Sequence, residues 1–312
     1  MNHRLLRPKR IIAVTAFTGI VGAVIGAVAI APTGATEKST SSGCSTSTLD
    51  ARYGSTLRVL SSPGSGNWSQ VETKWVAAIG HPMCTTRVYL GTIGAGKTWA
   101  KTDMLAHQPA NQRVIFSFRG GNAADITAFE RSRPAGTQCY GSFWHEPENT
   151  YKTPTQQAQY RAKWGQYAPA IRAGGCKTIL ILEGYTSTDK QWHWEDYYNA
   201  GAIDSFGWDV YSYGWEDKPP VYRDPATLLA GPQHVARVTG KHWGVTEAGS
   251  PVIPGDGYGV ARVAWIKRYH QLLVQTHASL FSIWNDYIRY SPPPTVNYTA
   301  GTDMIHAWTG TG

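Results

Sequence analysis

No two cysteines of this 312-residue chain stand two residues apart, so the usual thiolate spacing of a structural zinc site is missing. No second histidine follows His145-Glu146 at the interval a zinc-peptidase helix needs. Beyond the first ten residues no cluster of Lys or Arg occurs, which weighs against a nucleic-acid surface. After about residue 50 no second low-complexity stretch breaks the chain. What remains is one uninterrupted domain with neither metal nor polynucleotide in view.

What is present begins with an export address. Arg4, Arg7, Lys9 and Arg10 form a basic head, and an apolar run follows from Ile11 to Ala31. Small residues offer cleavage after Ala31 or Ala35; Pro32 disfavours the earlier cut, and Thr33-Gly34-Ala35 resembles an A-x-A site. Residues 1–35 therefore read as a secretory signal. An uncleaved anchor is the competing reading, because 21 apolar residues just suffice to span a bilayer. Either way the basic head stays inside and the rest is exported. Loss of the segment removes four cations and no acid, taking the net charge from +8 to +4.

Four cysteines, Cys44, Cys84, Cys139 and Cys176, suit an exported protein with two disulfides. Three pairings exist on paper. Cys139 and Cys176 stand just before two successive expected strands, whose starts should be neighbours, so Cys139–Cys176 is the expected bridge and Cys44–Cys84 the remainder. Residues 36–50, rich in Ser, Thr and Gly, read as a flexible leader. Residues 51–312 then match the roughly 250 residues of one α/β barrel.

Apolar, β-branched or aromatic runs recur at Leu57–Ser61, Thr86–Leu90, Arg113–Phe118, Tyr140–His145, Thr178–Leu182, Ile203–Tyr211, His242–Thr246 and Leu280–Trp284. Helical patterns lie between most of them. The clearest starts at Thr153-Pro154, a cap followed by proline at the first helical position, and stops at Gly174-Gly175. Another spans about 258–277, with Val263, Ile266, Tyr269, Leu273 and Val274 at helical spacing. The pattern is weaker around 97–107 and 190–200. Eight strands alternating with helices imply a parallel sheet closed as a (β/α)8 TIM barrel. A doubly wound open sheet is the rival, but it would not bring the ends of strands four and seven to one substrate.

Those two strands end in the chain's most informative segments, Trp144-His145-Glu146-Pro147-Glu148 and Gly244-Val245-Thr246-Glu247-Ala248-Gly249. Glu146 and Glu247, 101 residues apart, each stand where a barrel carries its chemistry. Paired carboxyl groups are what glycosidic cleavage requires: one donates a proton to the leaving oxygen and the other traps the cationic sugar. Glu146 is assigned as acid/base and Glu247 as nucleophile. The charge on Glu247 would itself raise the pKa of Glu146. Glu148 reads as a rim or supporting residue, and Glu183, ending strand five, as a candidate for the cleft.

These segments resemble clan A glycoside hydrolases, whose barrels carry acid/base and nucleophile at strands four and seven. A histidine directly before the acid/base resembles glycoside hydrolase family 26, the β-mannanases and related endo-β-glycanases. The specific likeness rests on Ser117-Phe118-Arg119, His145-Glu146, Gly207-Trp208-Asp209-Val210-Tyr211, Glu247 and Trp284. Ala248 departs from it, standing where members often carry an aromatic residue. The resemblance implies that Tyr211 donates a hydrogen bond to the nucleophile and that Trp284 forms the platform beneath the sugar. His145, Arg119, Asp209, Trp208 and Trp215 complete the expected substrate-binding set, and Trp192 and Trp194 are further subsite candidates. Most of the 13 tryptophans and 17 tyrosines are expected to be packing.

Gly91-Thr92-Ile93-Gly94-Ala95-Gly96-Lys97-Thr98 matches the P-loop pattern after a strand-like run. A nucleotide hydrolase is therefore one alternative, opposed by the export signal. A non-catalytic carbohydrate-binding barrel is another. The sequence thus predicts a secreted, retaining, endo-acting hydrolase of a β-linked polysaccharide, mannan-like at first guess. It would work as a monomer, without cofactor or metal, without nucleic acid, and without membrane unless the signal is kept.

Overall fold

Alternation along each apolar run builds eight parallel strands. The computed structural model describes residues 57–58, 85–106, 112–188, 193–213, 217–256, 259–284, 287–289 and 295–297, all within the unit Ser41–Gly312. The barrel strands are β1 (Leu57–Arg58), β2 (Thr85–Tyr89), β3 (Arg113–Phe118), β4 (Gln138–Phe143), β5 (Lys177–Glu183), β6 (Ser205–Tyr211), β7 (His242–Gly249) and β8 (Ile283–Trp284). Strands β2 to β7 form one parallel sheet in sequence order. β1 pairs in parallel with β8, Leu57 opposite Ile283; β1 lies against β2, and β8 against β7. Just before β8, the Val245 N–H donates to the Leu280 carbonyl at 2.8 Å. The sheet closes as a (β/α)8 barrel, not an open doubly wound sheet.

Helices α1 (Ala123–Arg131), α2 (Pro154–Ala173), α3 (Pro225–Thr239) and α4 (Val260–Gln275) follow β3, β4, β6 and β7. Local chemistry starts them. Thr153 and Gln156 form a capping box ahead of Pro154, Asn122 caps α1, and Asp224 caps α3 before Pro225. Where the helical pattern is weak, the chain makes short turns instead: Trp99–Lys101 with Asp103–Ala106, then Gly184–Ser187 and Trp194–Asp196. Among the described residues no helix is long and apolar enough to cross a membrane. The 1–35 signal and the 36–50 leader lie outside the described residues.

Strand alternation divides the core in two. Outward side chains such as Val88, Phe116, Phe118, Leu180, Leu182, Phe206 and Trp208 pack against the helices. Inward Ile115, Tyr140, Ile179, Ile181 and Leu280 fill the barrel's interior as a packed layer. The floor beneath the site is therefore solid. Cys139, in β4, is bridged to Cys176, just before β5, as expected. Cys44 and Cys84 lie outside the described residues.

The P-loop alternative, disfavoured from the sequence, finds no support in the local structure. Thr92 and Ile93 form a short strand paired with Gly120 and Gly121, and a three-residue turn with buried Trp99 follows Thr98. A phosphate cradle needs the glycine-rich loop to open directly into a helix N-terminus, and none forms.

Candidate active site

Strand four ends two residues earlier than the sequence suggests, at Phe143 rather than His145. Trp144 and Glu146 adopt left-handed backbone conformations, φ 49° and 50°, and Pro147 then starts a 3-10 turn, Pro147–Asn149. Such a conformation persists in a non-glycine residue only when its surroundings fix it. Here the Trp144 N–H donates to the Phe118 carbonyl at 2.8 Å and the Glu146 N–H to the Ile181 carbonyl at 3.0 Å. The buried Tyr160 hydroxyl donates to the Phe143 carbonyl at 3.0 Å.

Glu247 is aimed by a different device. Trp208 pairs with Val245, but the next pair is Asp209 with Glu247, so Thr246 is an extra residue on β7. Strict alternation from Trp243 and Val245, which face the helices, would turn Glu247 outward as well. The bulge re-aims it inward beside Asp209. Gly207 makes room: a Cβ there would meet Thr246 Cγ2 at 2.7 Å and Ile181 Cγ1 at 2.9 Å.

One carboxylate oxygen from each of Glu146, Asp209 and Glu247 lies within 4.8 Å of the other two. Glu247 is 6% exposed and accepts two phenol hydrogen bonds, from Tyr211 at 2.7 Å and from Tyr89. Asp209 Oδ1 accepts from the Thr246 hydroxyl at 2.6 Å. Burial, and then the Glu247 charge, push the Glu146 carboxyl up to about 7. Hydrogen bonds from Asp209 and Glu183 and the nearby Arg87 charge hold that rise in check. Asn149 Nδ2 adds a bond to Glu146 Oε2 at 3.2 Å. Asp209 and Glu183 are themselves raised well above the carboxylate range, by burial first and then by the neighbouring carboxylates. Burial and the neighbouring carboxylates thus favour the protonated forms of Glu146, Asp209 and Glu183, with buried Arg87 over the Tyr89 ring at 4.5 Å as the nearby cation.

Of the residues singled out from sequence, Glu146, Asp209, Tyr211 and Glu247 come together. His145 lies at the same mouth, its ring 5.1 Å from that of Tyr89. Arg119 is exposed on the rim, 5.0 Å above the Trp144 ring. Two expectations need correction. Trp208 is 0% exposed and stacks on Phe206, because alternation with Asp209 turns it toward the helices and away from any sugar. Asp209 is also 0% exposed, so it lies behind the glutamates rather than on the cleft surface. Trp194 packs on Tyr198 and Phe206. Trp192, Trp215 and the Trp284 side chain lie outside the described residues.

Tyr89 and Arg87 were not anticipated. Both fall within the expected second strand, at alternate positions, but nothing in that run tells which face looks inward. Glu183 and Glu148 join the cluster as well: Glu148 is 1% exposed, and its Oε1 accepts from the Glu183 N–H.

The sequence matches no protein-family profile and no curated protein. Solved structures do match. A glycoside hydrolase family 26 β-mannanase from Bacteroides ovatus aligns with TM-score 0.50 at 14% identity, over 84% of this chain and 85% of that one. The catalytic domain of a family 26 endo-β-1,4-mannanase from Bacillus sp. JAMB-750 gives 0.52 at 13% identity, over 84% and 88%. A family 5 xyloglucan-specific endo-β-1,4-glucanase from a metagenomic library gives 0.53 at 14% identity, over 84% and 96%. At these identities the likeness is one of fold, the (β/α)8 barrel that this chain shares with glycoside hydrolases of families 26 and 5.

Proposed function

We propose that this protein is a secreted, retaining glycoside hydrolase that cleaves a β-linked polysaccharide within the chain, mannan being the first candidate. The observation that carries the reading is the approach of Glu146 and Glu247, oxygens within 4.8 Å, in contrasting settings. Retaining enzymes hold their carboxyl groups about 5–5.5 Å apart, whereas inverting ones need about 6.5–9.5 Å to admit a water. The spacing favours direct attack.

In the first step Glu247, steadied by Tyr89 and Tyr211, attacks the anomeric carbon. Glu146 gives its proton to the departing glycosidic oxygen. A covalent glycosyl-enzyme results and the first product leaves with the new hydroxyl. Glu247 is then no longer an anion, and Glu146, now ionised, draws a proton from the water that displaces it. Asp209 and Glu183 serve by hydrogen-bonding Glu146. His145 and Arg119 contact sugar at the mouth, and Trp284 would lie beneath the ring.

The mannan guess follows the two family 26 β-mannanases and the His145-Glu146 pair; the xyloglucan-specific relative in fold makes a β-1,4-glucan the next substrate to try. Export follows from residues 1–35, with the Cys139–Cys176 bridge suiting an oxidising compartment. A monomer is the default. Purified protein is to be assayed on a panel of β-glycans, with the anomer of the fresh product followed by NMR. Retention in the parent and a loss of about 10⁴-fold in Glu247→Gln are expected. Unchanged turnover in that variant would remove Glu247 as nucleophile, and inverted product would remove the double displacement.

A further inference from the structure

We propose that Glu148 is a positioning residue that clamps the turn carrying Glu146 onto the carboxyl end of β5. The acid/base role of Glu146 given above is the reading on which this rests.

Two hydrogen bonds join that turn to β5, and they run in opposite directions. The Glu146 N–H donates to the Ile181 carbonyl at 3.0 Å, and the Glu183 N–H donates to Glu148 Oε1. Ile181 and Glu183 are alternate residues of β5, so the turn is gripped on both sides of Pro147. The grip is needed because Trp144 and Glu146 both hold left-handed backbone without being glycine. Asn149 N–H to the Glu146 carbonyl, at 3.2 Å, closes the turn only on itself.

A carboxyl group 1% exposed is a costly way to fill space, since burial penalises its charged form. Glu146 and Glu183 lie beside it, and the phenols of Tyr160, Tyr185 and Tyr197 feel its charge. Burial pushes Glu148 up to about 8, against the hydrogen bonds it accepts from backbone. Burial thus favours its protonated form, whose oxygen still accepts a backbone hydrogen bond. Acceptance, not charge, makes the clamp. Glutamine reproduces that acceptor at nearly the same size; leucine and alanine do not.

The test compares Glu148→Gln, Glu148→Leu and Glu148→Ala in the full chain. Protein labelled with [δ-¹³C]glutamate is titrated by NMR, with the Glu146 signal assigned through Glu146→Gln, and folding is checked by thermal melting. Glu146 should titrate in Glu148→Gln as in the parent. In the leucine and alanine variants its midpoint should fall toward the ordinary carboxylate range as the turn leaves Glu247 and the buried acids. Turnover of β-mannan should drop by about 10-fold or more in those two variants and recover in Glu148→Gln. An unmoved Glu146 titration in folded Glu148→Leu or Glu148→Ala would overturn the clamp. Equal shifts in all three variants would make Glu148 a charge rather than a clamp. If glutamine folds and neither apolar variant does, Glu148 is a core group and the assignment fails. The titration needs no substrate, so a parent inactive on every glycan would sink the hydrolase reading and leave this one still decided.

Discussion

Asp209 of β6 stands directly beside Glu247 of β7, because Thr246 is one residue more than the ladder can pair. That relationship sets the charge pattern of the site. It places Glu247 against a carboxyl whose pKa burial and the Glu247 charge raise well above the carboxylate range, and it makes Thr246 the hydrogen-bond donor to Asp209.

Gly207→Ala is expected to destabilise the protein by about 1–3 kcal/mol through overpacking, since the added methyl meets Thr246 Cγ2 at 2.7 Å. Thr246→Ser removes that carbon and keeps the hydroxyl, so the double variant should regain part of the loss. Urea denaturation of the two single variants and the double one measures it. Full additivity would mean that the bulge is not what requires glycine.

Thr246→Val keeps the shape and deletes the donor to a buried acceptor, a change worth about 1–3 kcal/mol. Because the Thr246 bond lowers the Asp209 pKa, Asp209 should become harder still to ionise. Equilibrium unfolding against pH reads both effects.

The acid role proposed for Glu146 fixes an alkaline limb. With its proton held up to about 7, kcat/KM on a polysaccharide should fall as pH rises through that value, where the donor is lost. In Glu247→Gln the Coulombic part of the elevation disappears while the larger burial part stays. The Glu146 carboxyl should then titrate lower than in the parent yet above an ordinary glutamate, as ¹³C NMR would record.

Tyr89→Phe removes one of the two phenol donors to Glu247. If Glu247 attacks as proposed, its misorientation is expected to cost about 10-fold in kcat, with KM little changed. A change in KM alone would make Tyr89 a sugar contact instead.

Away from the site, Glu130 in α1 is buried and neither carboxyl oxygen has a partner among the described residues. Burial raises it to about 9, only partly offset by Arg133. For a carboxyl whose folded pKa exceeds the unfolded value of 4.5, stability is full below that value and drains as pH rises toward 9. Glu130→Gln should therefore match the parent near pH 5 and exceed it at pH 8–9, by something on the order of 2 kcal/mol. Identical melting curves at both pH values would refute the burial argument.

Strand positions, the two clearest helices and the Cys139–Cys176 bridge were legible in the sequence, because apolar period, caps and turn residues act over a few neighbours. Arg113–Phe118 matches its expected span residue for residue, and α2 runs from the Thr153 cap to the glycine pair as read. The pairing of Glu146 with Glu247 was legible only as a count of strand ends. Trp208 and Asp209, adjacent in one strand, cannot both face the barrel interior, so alternation alone separates the two members of the expected substrate-binding set.

The sequence by itself determined the barrel and the two glutamates, since both follow from local pattern and strand order. The three-dimensional structure alone decided which acids meet. Whether Glu247 faces in depends on one unpaired residue, Thr246, and whether Glu146 holds its place depends on bonds to β5, each spanning 35 residues of the chain. The raised pKa values of Asp209, Glu183 and Glu148 come first from burial and then from neighbouring carboxylates, Glu146 among them, an environment that exists only once the strands are assembled side by side.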